Sequence, residues 1–177
     1  MSHKIGIIGG DGIGPEVINE GLKVIEAAGI NVDLHNYDLG GSRYIKDGTI
    51  LPDSILQEWR SLDALYLGAV GTPDVPPGVI ERGLLLKMRF ELDLYINLRP
   101  FVKDATEDSD AHNFIVIREN TEGTYAGEGG FLRKNTIHEV ATQGSVNTRH
   151  GVERCIRYAF ELAAKRERKH LTLVHKT

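Results

Sequence analysis

Three arginines, one tyrosine and one lysine carry most of the chemistry legible in this chain of 177 residues. Arg89 lies in "LLLKMRFELD", a stretch with helical spacing, whereas Arg99 in "NLRP" and Arg118 in "IVIRENTEG" each end an apolar, strand-like run. A guanidinium grips a carboxylate through two parallel N–H bonds, and ligands of open α/β sheets lie at strand ends. One such arginine is ordinary as a surface ion pair. Three point to a small acidic molecule. Tyr125 falls seven residues after Arg118 among glycines that leave its hydroxyl uncovered. Its phenol can donate a proton, although taken alone such a tyrosine is more often a packing residue with one polar handle. Lys176 follows the apolar run Leu171–His175, where desolvation would draw an amine toward base function and where a solvated lysine is the plain alternative.

The opening "GGDGIGPEV", Gly9–Val17, is glycine-rich between a strand-like run and a helix, yet its G-x-G-x-G spacing fits neither the dinucleotide fingerprint nor the P-loop. The histidines, His170 and His175 included, form no metal-ligand spacing, and the single Cys155, at helical spacing with apolar neighbours, reads as core. No G-x-S-x-G elbow occurs.

The elements that must position these residues alternate strand and helix. Lys4–Ile8 is a buried-strand run, Pro15 suits a helical first turn, and the apolar face from Val17 to Ala28 closes at Gly29 before a strand over Ile30–Leu34. A helix over Asp53–Trp59, a strand over Ala64–Val70 and a loop over Gly71–Gly78 follow. "VIERGLLLKMRFELD" is helical, "YINLRP" is a strand, and Lys103–His112 is an exposed connection. Phe114–Ile117 reads as a buried strand, Thr121–Asn147 as a protruding β-hairpin or arm, Arg149–Lys165 as a long helix and Leu171–His175 as a last buried strand. The expected class is α/β with parallel strands.

Composition bounds the partners. At 41% hydrophobic, 26% charged and net charge −4, the chain is an ordinary globular sequence without a field that recruits nucleic acid or anionic membrane. The basic run "KRERKH", Lys165–His170, ends a helix, where cations favour the dipole. No apolar stretch approaches the roughly 20 residues of a membrane span, and no signal peptide opens the chain, so a cytoplasmic location is expected.

In the order "GDGIGPEV", "LGAVGTP", "ERGLLLKMRFELDLYINLRP", "IVIRENTEGTYAG", "SVNTR" and "KHLTLVHKT", the sequence resembles the β-decarboxylating dehydrogenases of the isocitrate/isopropylmalate family. The resemblance covers the whole chain and about the first half of the family's. It implies the family's two-domain α/β fold, here truncated, with a first domain over 1–98 and an incomplete second over 99–177 bearing a dimerisation arm around 121–147. It also implies NAD-dependent oxidative decarboxylation of 3-isopropylmalate to 4-methyl-2-oxopentanoate in leucine biosynthesis, by a homodimer using Mg2+ or Mn2+. Arg89, Arg99 and Arg118 match the family's substrate arginines, with Leu84 and Leu85 an alkyl pocket. Tyr125 matches its general acid, and Lys176 the lysine that reaches the partner subunit's site. Ile13, Gly68, Ala69, Val70, Gly71 and Glu81 match the cofactor side. The metal-binding aspartates are expected beyond Thr177, so this chain alone is expected to be an inactive fragment. Tartrate, malate or isocitrate remain alternative substrates, and a non-catalytic subunit or binding module is the alternative of another class.

Overall fold

A computed structural model describes residues 2–104 and 111–175, and the chain divides into two compact units, Met1–Leu92 and Asp93–Thr177.

The first unit is a three-stranded parallel sheet in the order β2–β1–β3, formed by β1 (His3–Gly10), β2 (Val32–Asn36) and β3 (Ala64–Ala69). The apolar run of β1 takes the centre because it is the strand paired on both edges, and Ile7 and Ile8 are accordingly buried. α1 (Gly14–Ala27) carries Pro15 in its first turn, where a missing N–H breaks no ladder bond, and buries Ile18. α3 (Asp53–Trp59) follows the sequence expectation, but α2 (Gly41–Asp47) was not foreseen. With only seven residues between two glycines, α2 shows too little periodicity to announce itself. Ile8, Leu39, Leu56, Trp59, Ile80 and Leu84 belong to one buried core. Each such burial contributes about 1.5–3 kcal/mol. The Trp59 ring meets Tyr37 edge-on at 5.6 Å between centroids.

The expected helix around Arg89 opens as a π-helical turn, Glu81–Leu86, and continues as α4 (Lys87–Glu91). Such turns occur mostly as single-turn bulges within α-helices, as here.

The second unit holds an antiparallel pair, β4 (Ile96–Lys103) with β5 (His112–Glu119), and a hairpin, β6 (Gly129–Leu132) with β7 (Val140–Gln143). α5 spans Arg149–Lys165. Four expectations need correction. β5 is not a buried strand, since Phe114 and Val116 stand exposed on one face. Leu171–His175 forms no strand: a strand is stable only when its backbone finds a ladder partner, and Leu173 and Val174 are exposed. The basic run lies mostly outside the helix, because α5 ends at Lys165 and Arg166 turns to donate to the Asn113 carbonyl and side-chain oxygens. Cys155 is only half-buried.

Candidate functional site

In the first unit the glycine-rich turn sits at the carboxyl ends of β1 and β3. The chain passes from β1 to β2 on one side and then crosses to β3 on the other, so the strand order reverses between β1 and β3. Such a switch point is where open α/β sheets bind ligands. The glycines serve close packing first. Gly10 pairs with Ala69 at φ +75°, and a Cβ there would lie 2.0 Å from the Ala69 carbonyl oxygen; one on Gly14 would lie 2.1 Å from that of Gly9.

Asp11 binds this edge together. Its carboxylate, 4% exposed, accepts from the backbone N–H groups of Gly41 at 2.7 Å, Ser42 at 3.0 Å and Gly71 at 3.0 Å. Its own N–H donates to the Ala69 carbonyl at 2.7 Å. Burial opposes the charge, but the N–H groups of Gly41, Gly71 and Ser42 prevail and hold the carboxyl below the usual carboxylate range. The α1 N-terminus is no phosphate cradle: Pro15 lacks an N–H, Gly14 N–H donates to the Asp11 carbonyl, and Glu16 brings negative charge. The near-miss to the dinucleotide fingerprint is therefore physical.

Around this edge, Ile13 is 63% exposed, Ala69 and Gly71 are exposed and Gly68 and Val70 half-buried. A side chain at Gly12 or Gly71 would meet only open space. Glu81 is exposed and accepts from the Gly78 N–H at 2.9 Å, closing its own helix start. Leu84 is completely buried in the core, while Leu85 is partly buried against it. Arg89 lies half-buried on α4.

In the second unit, the register places Asn97 opposite Arg118 and Arg99 opposite Val116. Residues directly opposite share a face, so Asn97, Arg99 and Arg118 stand on the same side of the pair, with Arg99 and Arg118 as diagonal neighbours roughly 7–8 Å apart. The Arg99 Nε donates to Asn97 Oδ1 at 2.8 Å. The Arg118 guanidinium lies 4.9 Å from the centre of the Tyr125 ring. Two cations and a phenol are thus gathered on one unit. Phe101 and Phe114 stack beside them at 5.0 Å on the same face. Lys176 lies outside the described residues.

The segment that follows Arg118 is built by polar groups the sequence reading passed over. Glu119 accepts from the Thr121 and Glu122 N–H groups at 3.1 and 2.7 Å, and buried Asn120 donates to the Leu94 carbonyl at 2.9 Å. Glu122 accepts from the N–H and hydroxyl of Thr148, whose oxygen in turn accepts from Gly151 N–H and caps α5. Arg154, over the Tyr95 ring at 4.4 Å, donates to both Asp93 oxygens and to Thr121. Short polar residues in "ENTEG" and "NTR" were the available signal, since such residues cap and turn. Among the described residues, no three His, Cys, Asp or Glu side chains lie close enough together to hold a metal ion, and no helix is long and apolar enough to cross a membrane.

The family model described as isocitrate/isopropylmalate dehydrogenase matches residues 4–177. The chain is 57% identical over 178 residues to a 3-isopropylmalate dehydrogenase of Frankia casuarinae, covering 98% of this chain and 52% of that one. It is 54% identical to that of Saccharopolyspora erythraea, again covering 98% and 52%. Among solved structures, an isocitrate dehydrogenase from Methylococcus capsulatus superposes with a TM-score of 0.80 at 38% identity, over 92% of this chain and 48% of that one. A β-decarboxylating dehydrogenase from Thermococcus kodakarensis gives 0.68 at 35%, over 92% and 46%. The chain spans about half the length of the curated relatives it matches, and it belongs to the isocitrate/isopropylmalate dehydrogenase family.

Proposed function

We propose that this chain carries the substrate-holding and cofactor-edge half of an NAD-dependent 3-isopropylmalate dehydrogenase of leucine biosynthesis. The observation that carries the reading is the grouping of Arg99, Arg118 and Tyr125, two anion-gripping cations beside a proton donor. Arg99 and Arg118 bind the carboxylates of the malate moiety, and Arg89 is a substrate arginine by the family resemblance. Asn97 occupies the Nε side of Arg99, which turns the paired Nη groups toward the ligand. Tyr125 gives a proton to the enol left when carbon dioxide departs. Lys176 assists deprotonation of the hydroxyl in a second subunit's site, and the 121–147 segment is the arm of that dimer. Of the two leucines, Leu85 lines the alkyl pocket and Leu84 supports it from the core.

The open backbone around Gly12, Ile13 and Gly68–Gly71 fits one flank of NAD, with Glu81 nearby in the chain. Bound there, NAD supplies the hydride acceptor. The described residues do not fit a divalent cation such as Mg2+ or Mn2+.

Isopropylmalate-dependent NADH formation by residues 1–177 with magnesium is expected to be negligible, and full turnover would overturn the half-site reading. Calorimetry with 3-isopropylmalate should show binding that Arg118→Leu weakens roughly tenfold or more. Tighter binding of isocitrate or malate would reassign the substrate.

A further inference from the structure

We propose that Asp11 is a positioning residue for the dinucleotide: its carboxylate fixes the Gly71 backbone and the start of α2 against the end of β1, and so sets the edge on which the cofactor lies. The inference rests on the cofactor reading of that edge given above.

An ionised carboxylate only accepts hydrogen bonds, and Asp11 receives three, from Gly41, Ser42 and Gly71. These donors stand 30, 31 and 60 residues away in the chain. Capping α2 requires only the first two. The third bond adds nothing to α2 and ends on the stretch at the β1/β3 switch point. The Gly71 φ of +130° leaves that backbone without the restraint a side chain would bring, so its orientation depends on the bond its N–H makes. A Cβ on Gly40 would lie 2.9 Å from both Asp11 oxygens, so the fit around the carboxylate admits no bulkier neighbour. An asparagine of the same shape turns an NH2 group toward at least one of the three donors, which breaks the clamp without opening a cavity.

The test is an amide-resolved NMR titration of the 177-residue chain with NAD+, comparing the native sequence with Asp11→Asn. The expected result is that the amides of Gly10–Ile13 and Gly68–Gly71 respond to NAD+ in the native chain. In Asp11→Asn the Gly71 amide should move upfield and the dissociation constant rise roughly tenfold, as loss of a charge-assisted bond predicts, with the amide spectrum of Asp93–Thr177 unchanged. Unaltered NAD+ affinity in Asp11→Asn would overturn the positioning role and leave the cofactor edge standing. Absence of any response at this edge in the native chain would overturn the cofactor reading and the proposal together. Should Asp11→Asn fail to fold, hydrogen exchange in the native chain decides: a Gly71 amide protected before NAD+ is added supports the clamp, and one that exchanges as freely as open backbone refutes it.

Discussion

Single carboxylates and amides, more than the arginines, decide how this chain is put together. Asn97 has an exposed partner in Arg99, and its contribution is orientation. Asn97→Ala is expected to leave thermal stability within about 0.5 kcal/mol, as surface substitutions do, while weakening calorimetric binding of 3-isopropylmalate several-fold. Equal affinity in the variant would return Arg99 to an independent role. Glu122 gives a pH signature. The Thr148 hydroxyl and N–H beside it hold its carboxyl below the ordinary 4.5. A folded-state value below the unfolded one means that the stabilisation is present above about 4.5 and is lost as pH falls through the depressed value. The melting-temperature gap between the native chain and Glu122→Gln should therefore be widest near neutrality and close on acidification; a gap that grows toward low pH would contradict the Glu122–Thr148 relay. Arg99 and Arg118 could be proposed from sequence because arginine at the end of an apolar run implies anion binding by type, and Arg89 and Tyr125 were assigned roles beside them only through the family resemblance. Asp11, Asn120 and Glu122 were not, because what matters in them is which distant backbone N–H or carbonyl they meet, and that depends on the closed fold.

Elements with strong periodicity or hard punctuation were read well, and the reason is local. The α5 limits follow from Thr148, an N-cap that accepts from Gly151 N–H at 3.1 Å, and from an apolar spacing that needs no tertiary help to be seen. Thr148→Ala should destabilise the second unit by about 1 kcal/mol in denaturant melts, and an unchanged midpoint would mean that Glu122 alone anchors the helix start. The β1 and β3 strands were likewise visible as apolar runs stopping at glycine. The failures share a different cause. Leu171–His175 has the composition of a strand but lacks a ladder partner among the described residues, and pairing is not a property of one segment. The π-helical turn at Glu81–Leu86 changes hydrogen-bond register without changing apolar periodicity enough to show. At the glycine edge, Gly10→Ala meets both a positive φ and the Ala69 carbonyl oxygen, and should cost at least about 1–2 kcal/mol from the backbone conformation alone. Wild-type stability in that variant would show that β1 and β3 part more readily than their register implies.

The two units differ in how much apolar surface each conceals for itself. Nearly all buried apolar side chains belong to Met1–Leu92; within the described part of Asp93–Thr177 the one such residue is Ala163, itself 9% exposed. So small a core leaves much of the second unit's apolar surface for a partner to cover. The uncovered side chains also fall on faces. Val152, Ile156 and Phe160 recur along one side of α5, and Phe131, Leu132 and Val140 crowd the β6–β7 hairpin. Faces of this kind on a folded unit mark association, in keeping with the dimer arm proposed above. Hydrogen exchange separates the possibilities. In dilute chain, β1 and β3 amides should exchange only through opening of the first unit's core, whereas α5 and β6–β7 amides should exchange far faster. Raising the chain concentration should slow exchange in α5 and the hairpin by mass action, and Phe160→Glu should abolish that slowing without touching β1. Protection that is equal in both units and independent of concentration would show that the second unit stabilises itself, and the proposed role of the 121–147 arm would fall with it.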